Sequence, residues 1–329
     1  MSAFGTEFSD VFAVCETTNG TWDEPALKPV KPIPLHPAAH VLHYASTCFE
    51  GFKAYRWEDG SARVFRLSDH AARMQRSAES LSLPFPGVQV VCQMVLELVE
   101  RCLADIPEPP GALYLRPTLI GTTPNIGAAA SPASDAMLYV LASPVGDYFA
   151  GGTKALRILV DDTRFRTAEQ LGSTKTGGNY AAALGPTLEA KSKYAVDQVL
   201  FCPNGDVQET GAANFLLIDD NEVLTKPLGS SFLHGITRAS ILTLAADRGL
   251  KVVERDFTVD ELLERAPHCE AALSGTAACL TPVGTLVYQG QEITVGGGKA
   301  FIQTEALRKA LCDIHSGAAP DTHSWLTLV

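Results

Sequence analysis

The chain has 329 residues, 46% of them hydrophobic and 19% charged, and its formal net charge is −11. At ~100–200 residues per domain this length suggests two domains with enough apolar material for real cores, which excludes a wholly disordered chain. An acidic balance without a Lys/Arg block works against phosphate backbones and anionic lipid, so small molecules are the expected partners, with no nucleic acid and no membrane.

In chain order, residues 68–83 read as a helix. Residues 88–104 carry a dense apolar helical stripe that stops before Pro107, Pro109 and Pro110. Residues 114–120 and 136–142 have the pattern of strands, giving a first half of mixed α and β. The run 136–142 is also the longest apolar one, far short of the ~20 residues of a membrane span. With acidic Glu7 and Asp10 at the start, a soluble cytoplasmic protein is the expectation. The Gly- and Pro-rich joint at 144–152 marks the domain boundary, dividing the chain into 1–146, an interdomain loop 147–152, and 153–329. Beyond it come a strand at 155–160, then strands 198–202 and 207–210 around an Asn204-Gly205 turn, whose residues supply the positive φ a tight hairpin requires. Strands 214–218 and 222–225 repeat the pattern around Asp219-Asp-Asn221, so a meandering antiparallel sheet is predicted. A helix at 237–248 closes on Gly249, and Thr258 with Glu261 has the spacing of a capping box. The second half reads as β-rich with helices packed on it.

Eight cysteines are scattered with no CxxC pair, which fits neither a zinc ribbon nor a disulfide scaffold. His36, His40 and His43 are close in sequence, but Pro37 breaks any helix aligning the first two, and no metal is expected. Neither Gly-x-Ser-x-Gly nor a strand-to-helix Gly-x-Gly-x-x-Gly is present, which lowers hydrolase and dinucleotide-binding readings. Lys175 is the only charged side chain from Gln170 to Leu188. Desolvation of an ammonium favours the neutral amine that a Schiff base requires, although a surface lysine in a loop is the commoner case. A P-loop would need Gly where Thr174 and Glu169 stand. Gly235-Ile-Thr237 opens a helix and could bind an anion or be an ordinary cap. Glu209 could be a solvated strand-end carboxylate, the Ser274-Gly-Thr-Ala-Ala278 turn a plain loop, and Arg73 a partner of Asp69 or Glu79.

Together, in order and spacing, these segments resemble one family. They are His43-Tyr-Ala-Ser-Thr-Cys-Phe-Glu-Gly-Phe-Lys-Ala-Tyr55, His70-x-x-Arg73, Tyr114-Leu-Arg-Pro117, Lys175-Thr-Gly-Gly-Asn-Tyr180, Glu209-Thr-Gly-Ala-Ala-Asn-Phe215, Leu233-His-Gly-Ile-Thr-Arg238 and Ser274-Gly-Thr-Ala-Ala278. The family is the branched-chain aminotransferases of fold type IV, which use pyridoxal 5′-phosphate (PLP). The resemblance implies an α/β (α+β) fold with a smaller N-terminal domain, a larger β-rich pseudo-barrel domain with packed helices, and PLP in the cleft between them. It also implies a homodimer whose partner completes the pocket. Lys175 would carry the PLP Schiff base and shuttle the proton, and Glu209 would hold a proton on the pyridine nitrogen. Tyr180 would hydrogen-bond the phenolic oxygen and Leu233 would pack on the ring. Arg73, Gly235 with the Ile236 and Thr237 amides, and Thr276 would hold the phosphate.

For substrate, the resemblance implies an apolar wall of Tyr44, Phe49 and Tyr180 closed by a loop containing Tyr148. The α-carboxylate would meet Ala277 and Tyr114, and Arg116 would meet the distal carboxylate of glutamate or 2-oxoglutarate. The implied reaction is ping-pong transamination between Leu, Ile or Val and 2-oxoglutarate. Tyr114 with Arg116 favours it over same-fold D-amino-acid aminotransferases and aminodeoxychorismate lyases, while retained Lys175 and Glu209 oppose a non-catalytic PLP-binding homologue. Some members carry CxxC after the Ser-Gly-Thr turn; here Ala278 and Thr281 stand at those positions, Cys279 is alone in sequence, and thiol regulation of that kind is not expected. Lys53, a basic position in the family, fits a structural ion pair at least as well as a substrate contact.

Overall fold

The computed structural model describes residues 4–146 and 154–329, which group into two compact units. Of the described residues, the first unit contains 4–146, 174–177 and 314–329; the second contains 154–173 and 178–313. The division read from sequence assigned residues 174–177 and 314–329 to the second domain. Their grouping with the first leaves the N-terminal unit slightly the larger, against the expectation of a smaller one.

Strands of the first unit are β1 (Val11–Thr18), β2 (Thr21–Trp22), β3 (Ala26–Pro29), β4 (Thr47–Phe49), β5 (Phe52–Arg56), β6 (Ala62–Phe65), β7 (Ala112–Gly121) and β8 (Ala136–Val145). Its helices are α1 (His40–Tyr44), α2 (Leu67–Ser80) and α3 (Val88–Arg101). With the C-terminal strand Leu326–Leu328 on β6, the strands build one sheet in the order C-terminal strand, β6, β5, β7, β8, β1, β2, with β3 on β1 and β4 on β7. Every pair is antiparallel. The stripe on α3 buries Val91, Met94, Val95, Leu98 and Val99, which with Met74 and Ala78 of α2 share one core with Phe52, Leu113 and Leu115 of the sheet. An apolar face repeating at three and four residues can seat in no other way.

The second unit holds β9 (Leu156–Asp161), α4 (Gly177–Tyr194), β10 (Gln198–Phe201), β11 (Asn214–Ile218), β12 (Glu222–Thr225), α5 (Ile236–Asp247), β13 (Lys251–Glu254), α6 (Val259–Arg265), β14 (Glu270–Gly275), β15 (Cys279–Tyr288), β16 (Gln291–Thr294) and α7 (Ile302–Ser316). Its sheet runs β10, β9, β15, β14, β11, β12, β13, with β16 on β15.

This sheet is mixed, not the antiparallel meander predicted. β10 is parallel to β9 and β13 to β12 because α4 and α5 cross over between them, as a parallel neighbour requires. β15 also lies parallel to β9. Asn204 (φ 55°) and Gly205 (φ 82°) adopt the positive φ expected, yet residues 207–210 form only isolated bridges, Leu200 with Thr210 and Glu209 with Asn214. The Asp219–Asn221 hairpin forms as read, and Thr258 caps α6 by accepting from the Glu261 amide.

Candidate active site

In the first unit, Tyr114 and Arg116 sit two residues apart on β7 and so face the same way. Arg116 Nη2 donates to Tyr114 Oη at 2.8 Å. Its guanidinium carbon lies 4.8 Å from the centre of the Phe49 ring and 5.2 Å from that of Tyr114. Lys175 Nζ is 5.1 Å from the same Phe49 ring, so one aromatic side chain gathers both cations by attraction to its π face. Arg116 Nε is buried with no hydrogen-bond partner among the described residues, a donor that invites an acceptor from a ligand. Gly51 makes room for this: a Cβ there would stand 2.0 Å from Tyr114 Oη.

Lys175 is half-buried, not fully desolvated, and its backbone fixes it. Its N–H donates to Ser77 Oγ at 3.0 Å, its carbonyl accepts from the Phe49 N–H at 3.0 Å, and Thr176 Oγ1 donates to the Thr47 carbonyl at 2.7 Å. These bonds to α2 and β4 explain why residues 174–177 belong to the first unit.

One turn apart on α2, His70 and Arg73 reach Glu50, whose carboxylate is fully buried. Arg73 Nε and Nη2 meet the two oxygens at 2.7 and 2.8 Å, and His70 Nδ1 lies 2.7 Å from Oε2. Arg73 therefore pairs with Glu50, while Asp69 pairs with Arg66. Burial pushes the Glu50 carboxyl up, but Arg73 and His70 pull it further the other way, leaving it well below the usual carboxylate range. For His70, burial is the larger effect and outweighs Glu50, favouring the neutral ring.

In the second unit the centre is Glu209, 3% exposed rather than solvated. Arg166 Nη2 meets Oε1 at 2.8 Å, the Leu233 N–H donates to the same oxygen at 2.8 Å, and Asn214 Nδ2 donates to Oε2 at 3.0 Å. Asn214 ties this centre together, because Nδ2 also donates to the Leu233 carbonyl at 2.8 Å and its backbone pairs in register with Ser274 of β14. A Cβ on Gly235 would stand 1.9 Å from Asn214 Oδ1, so only glycine permits α5 to start there. α5 has no side-chain cap at its start, where Ile236 and Thr237 present the first amides and the helix dipole is positive. Ser274 Oγ, at the end of β14, is buried without a partner among the described residues. The β14–β15 hairpin turns through Thr276 and Ala277, both half-buried. Arg166 also donates to the Gly172 carbonyl at 2.9 Å.

The residues read from sequence thus fall into two sets. Phe49, Tyr114, Arg116 and Lys175 meet in the first unit; Glu209, Leu233 and Gly235 meet around Asn214 in the second, with Ile236 and Thr237 opening α5. Tyr44 stands in α1 with its hydroxyl on the Ile126 carbonyl and its ring against His40 and His43. Tyr180 occupies the first turn of α4, half-buried. Buried Lys53 lies in register opposite Tyr114. Tyr148 lies outside the described residues. Sequence reasoning missed Glu50, Asn214 and Arg166 as parts of these sets. A carboxylate between Phe49 and Gly51 in an apolar stretch was a usable signal, whereas nothing around Arg166 in sequence marks it.

Residues 47–286 match the family described as Amino-transferase class IV. The chain is 38% identical to a probable branched-chain-amino-acid aminotransferase of Streptomyces coelicolor over 98% of its own length and 91% of that protein's. It is 34% identical to branched-chain-amino-acid transaminase 1 of Bacillus subtilis over 98% and 92%. Among solved structures it is similar to the branched-chain aminotransferase of the thermophilic archaeon Thermoproteus uzoniensis with norvaline, with TM-score 0.77 and 26% identity over 97% of this chain and 99% of that one.

Proposed function

The chain belongs to the class IV aminotransferases, in their branched-chain-amino-acid branch, and from that premise we propose how its residues divide the work of transamination. The reaction moves the amino group of Leu, Ile or Val to 2-oxoglutarate through PLP, in two half-reactions. Fit to PLP rests on three features: a buried carboxylate at Glu209 met by three donors, a helix start that only Gly235 permits, and a buried donor left over at Ser274.

When bound, PLP supplies the electron sink that lets the bond between Cα and its hydrogen break. Glu209 holds a proton on the pyridine nitrogen, with Arg166, Asn214 and the Leu233 amide keeping the carboxylate charged. Lys175 Nζ anchors the cofactor and carries the proton between Cα and C4′. Tyr180 donates to the phenolic oxygen, and Leu233 packs on the ring. The phosphate is held by Arg73, Thr276 and the Ile236 and Thr237 amides, with Gly235 leaving the approach open; a dianion without such donors would be costly to bury.

Phe49, with Tyr44 and Tyr180, forms the apolar wall for a branched side chain, and Tyr114 Oη and the Ala277 amide take the α-carboxylate. Arg116 rests against Phe49 and Tyr114 when the substrate is apolar and turns its unsatisfied Nε toward the distal carboxylate of glutamate or 2-oxoglutarate. Tyr148 is proposed to close over the substrate from the segment 147–152. The active form is proposed to be a homodimer, for which Leu184 and Leu188, exposed one turn apart on α4, offer an apolar surface.

The burial of Glu209 among its donors carries the reading most directly, since a charged carboxylate is what a protonated pyridine nitrogen needs. The test is to add PLP to the purified protein, record the visible spectrum, and then add L-leucine without any oxo acid. Gain of a visible band, its loss on adding leucine, and release of one 4-methyl-2-oxopentanoate per bound cofactor are expected. Absence of the band, or a band unmoved by leucine and bleached by D-alanine, overturns the reading.

A further inference from the structure

Cys279 is the first residue of β15, in register opposite Gly275, and so closes the turn that carries Thr276 and Ala277. It is buried, and its φ of 56° lies in the left-handed region that a non-glycine residue enters only when its surroundings impose it. Cys312, 33 positions later, is exposed on α7. The two Sγ atoms lie within 4.8 Å of each other, and both residues are thiols. The hairpin is already fastened to α7 at its other end: Glu270 accepts from the amides of Gln303 and Thr304 at 2.9 and 2.7 Å and from Thr304 Oγ1 at 2.7 Å. The two elements are thereby held together at that end, and a disulfide requires the sulfurs to close from within 4.8 Å to ~2.05 Å. Cys312 is the exposed thiol and the first to react, and Cys279, buried like five of the others, follows because its sulfur lies close to that of Cys312.

We propose that Cys279 and Cys312 form a dithiol redox site, closed by glutathione disulfide into a disulfide that clamps the Thr276–Ala277 turn to α7. The Cys312 thiolate attacks glutathione disulfide, forming a mixed disulfide and releasing one glutathione. The Cys279 thiolate then attacks the Cys312 sulfur and releases the second. Two protein thiols give up two protons and two electrons, and one glutathione disulfide becomes two thiols. The effect on activity rests on the proposed roles of Thr276 and Ala277; formation of the bond does not.

The full chain, loaded with PLP, is incubated with glutathione disulfide, its thiols are titrated in denaturant, and its peptides are mapped by mass. Loss of two of the eight thiols and a cross-linked peptide pair containing Cys279 and Cys312 are expected. The pair should be absent in Cys279→Ser and Cys312→Ser. The oxidised protein should show at least a threefold lower kcat/KM for L-leucine, restored by dithiothreitol and insensitive to oxidation in Cys312→Ser. No cross-link, or one between other cysteines, overturns the site whatever the activity. A cross-link with unchanged kcat/KM overturns its coupling to the turn, and leaves the functional reading to the leucine half-reaction.

Discussion

Each unit buries one carboxylate at the heart of its residue set, and the two are held differently. Glu50 meets Arg73 through both oxygens and His70 besides, both from one helix, and accepts a longer bond from the Gly51 amide at 3.3 Å, so its charge is taken up in fastening α2 to the strand region. Glu209 is held by Arg166 on one oxygen, by a backbone amide, and by the neutral amide of Asn214 on the other. Carboxylate oxygens accept more than one donor each, so an oxygen met by an amide retains more pull on a ligand proton than one met by a guanidinium. The comparison teaches that burial of a charge does not by itself mark a working group; the chemistry of its donors separates a scaffold carboxylate from a functional one.

The comparison can be broken by substitution. The largest effect is expected at Lys175: Lys175→Ala should lower turnover by about 10²–10⁴-fold, the usual contribution of a positioned proton carrier, with an unchanged melting temperature and no visible band on adding PLP. Glu209→Gln should cost about 10²–10³-fold in kcat, as when other stabilisers of developing charge are removed, and a rate within threefold of wild type would end its assignment. Glu50→Gln should act on stability, by ~3–5 kcal/mol in denaturant unfolding, because it strands the buried guanidinium of Arg73. If kcat at saturating PLP fell as far as in Glu209→Gln, the distinction between the two carboxylates would collapse.

Arg116→Ala should raise KM for 2-oxoglutarate by about 10–100-fold, the loss of one charge-assisted contact, and that for leucine by under threefold. Equal losses would remove its role. The smallest effect is on acid stability. His70 is held neutral in the fold, so stability falls as pH drops below its ordinary value of 6.5. The depressed Glu50 contributes stability above its ordinary 4.5 that is lost at lower pH still. Thermal unfolding from pH 8 to 2 should therefore decline in two stages, and His70→Asn should flatten the upper one.

Much of this was legible in the chain. The stripe on α3, the Asp219–Asn221 hairpin and the Thr258 cap rest on contacts within a few residues and formed where their patterns stood, although the Glu261 carboxylate pairs with Arg255 and Arg265 and does not complete a capping box. The mixed sheet was not legible, because parallel pairing of β9 with β10 and β15 joins segments separated by helices and loops that leave no periodic trace. The same holds within the site. Lys175, Glu209 and Gly235 stand in recognisable motifs, whereas Arg166 reaches Glu209 from 43 positions away and Cys312 reaches Cys279 from 33.

The sequence by itself determined helices α2, α3, α5 and α6, strands β7 to β12, the family and the residues with reactive groups, since propensity, periodicity and motif order are local properties. Only the tertiary structure decided that Arg73 is bound to Glu50, that Glu209 is buried among donors, and that one phenylalanine ring gathers Lys175 and Arg116. Those outcomes depend on which distant groups compete for the same charge, and desolvation makes that competition strong only after the chain has closed around them.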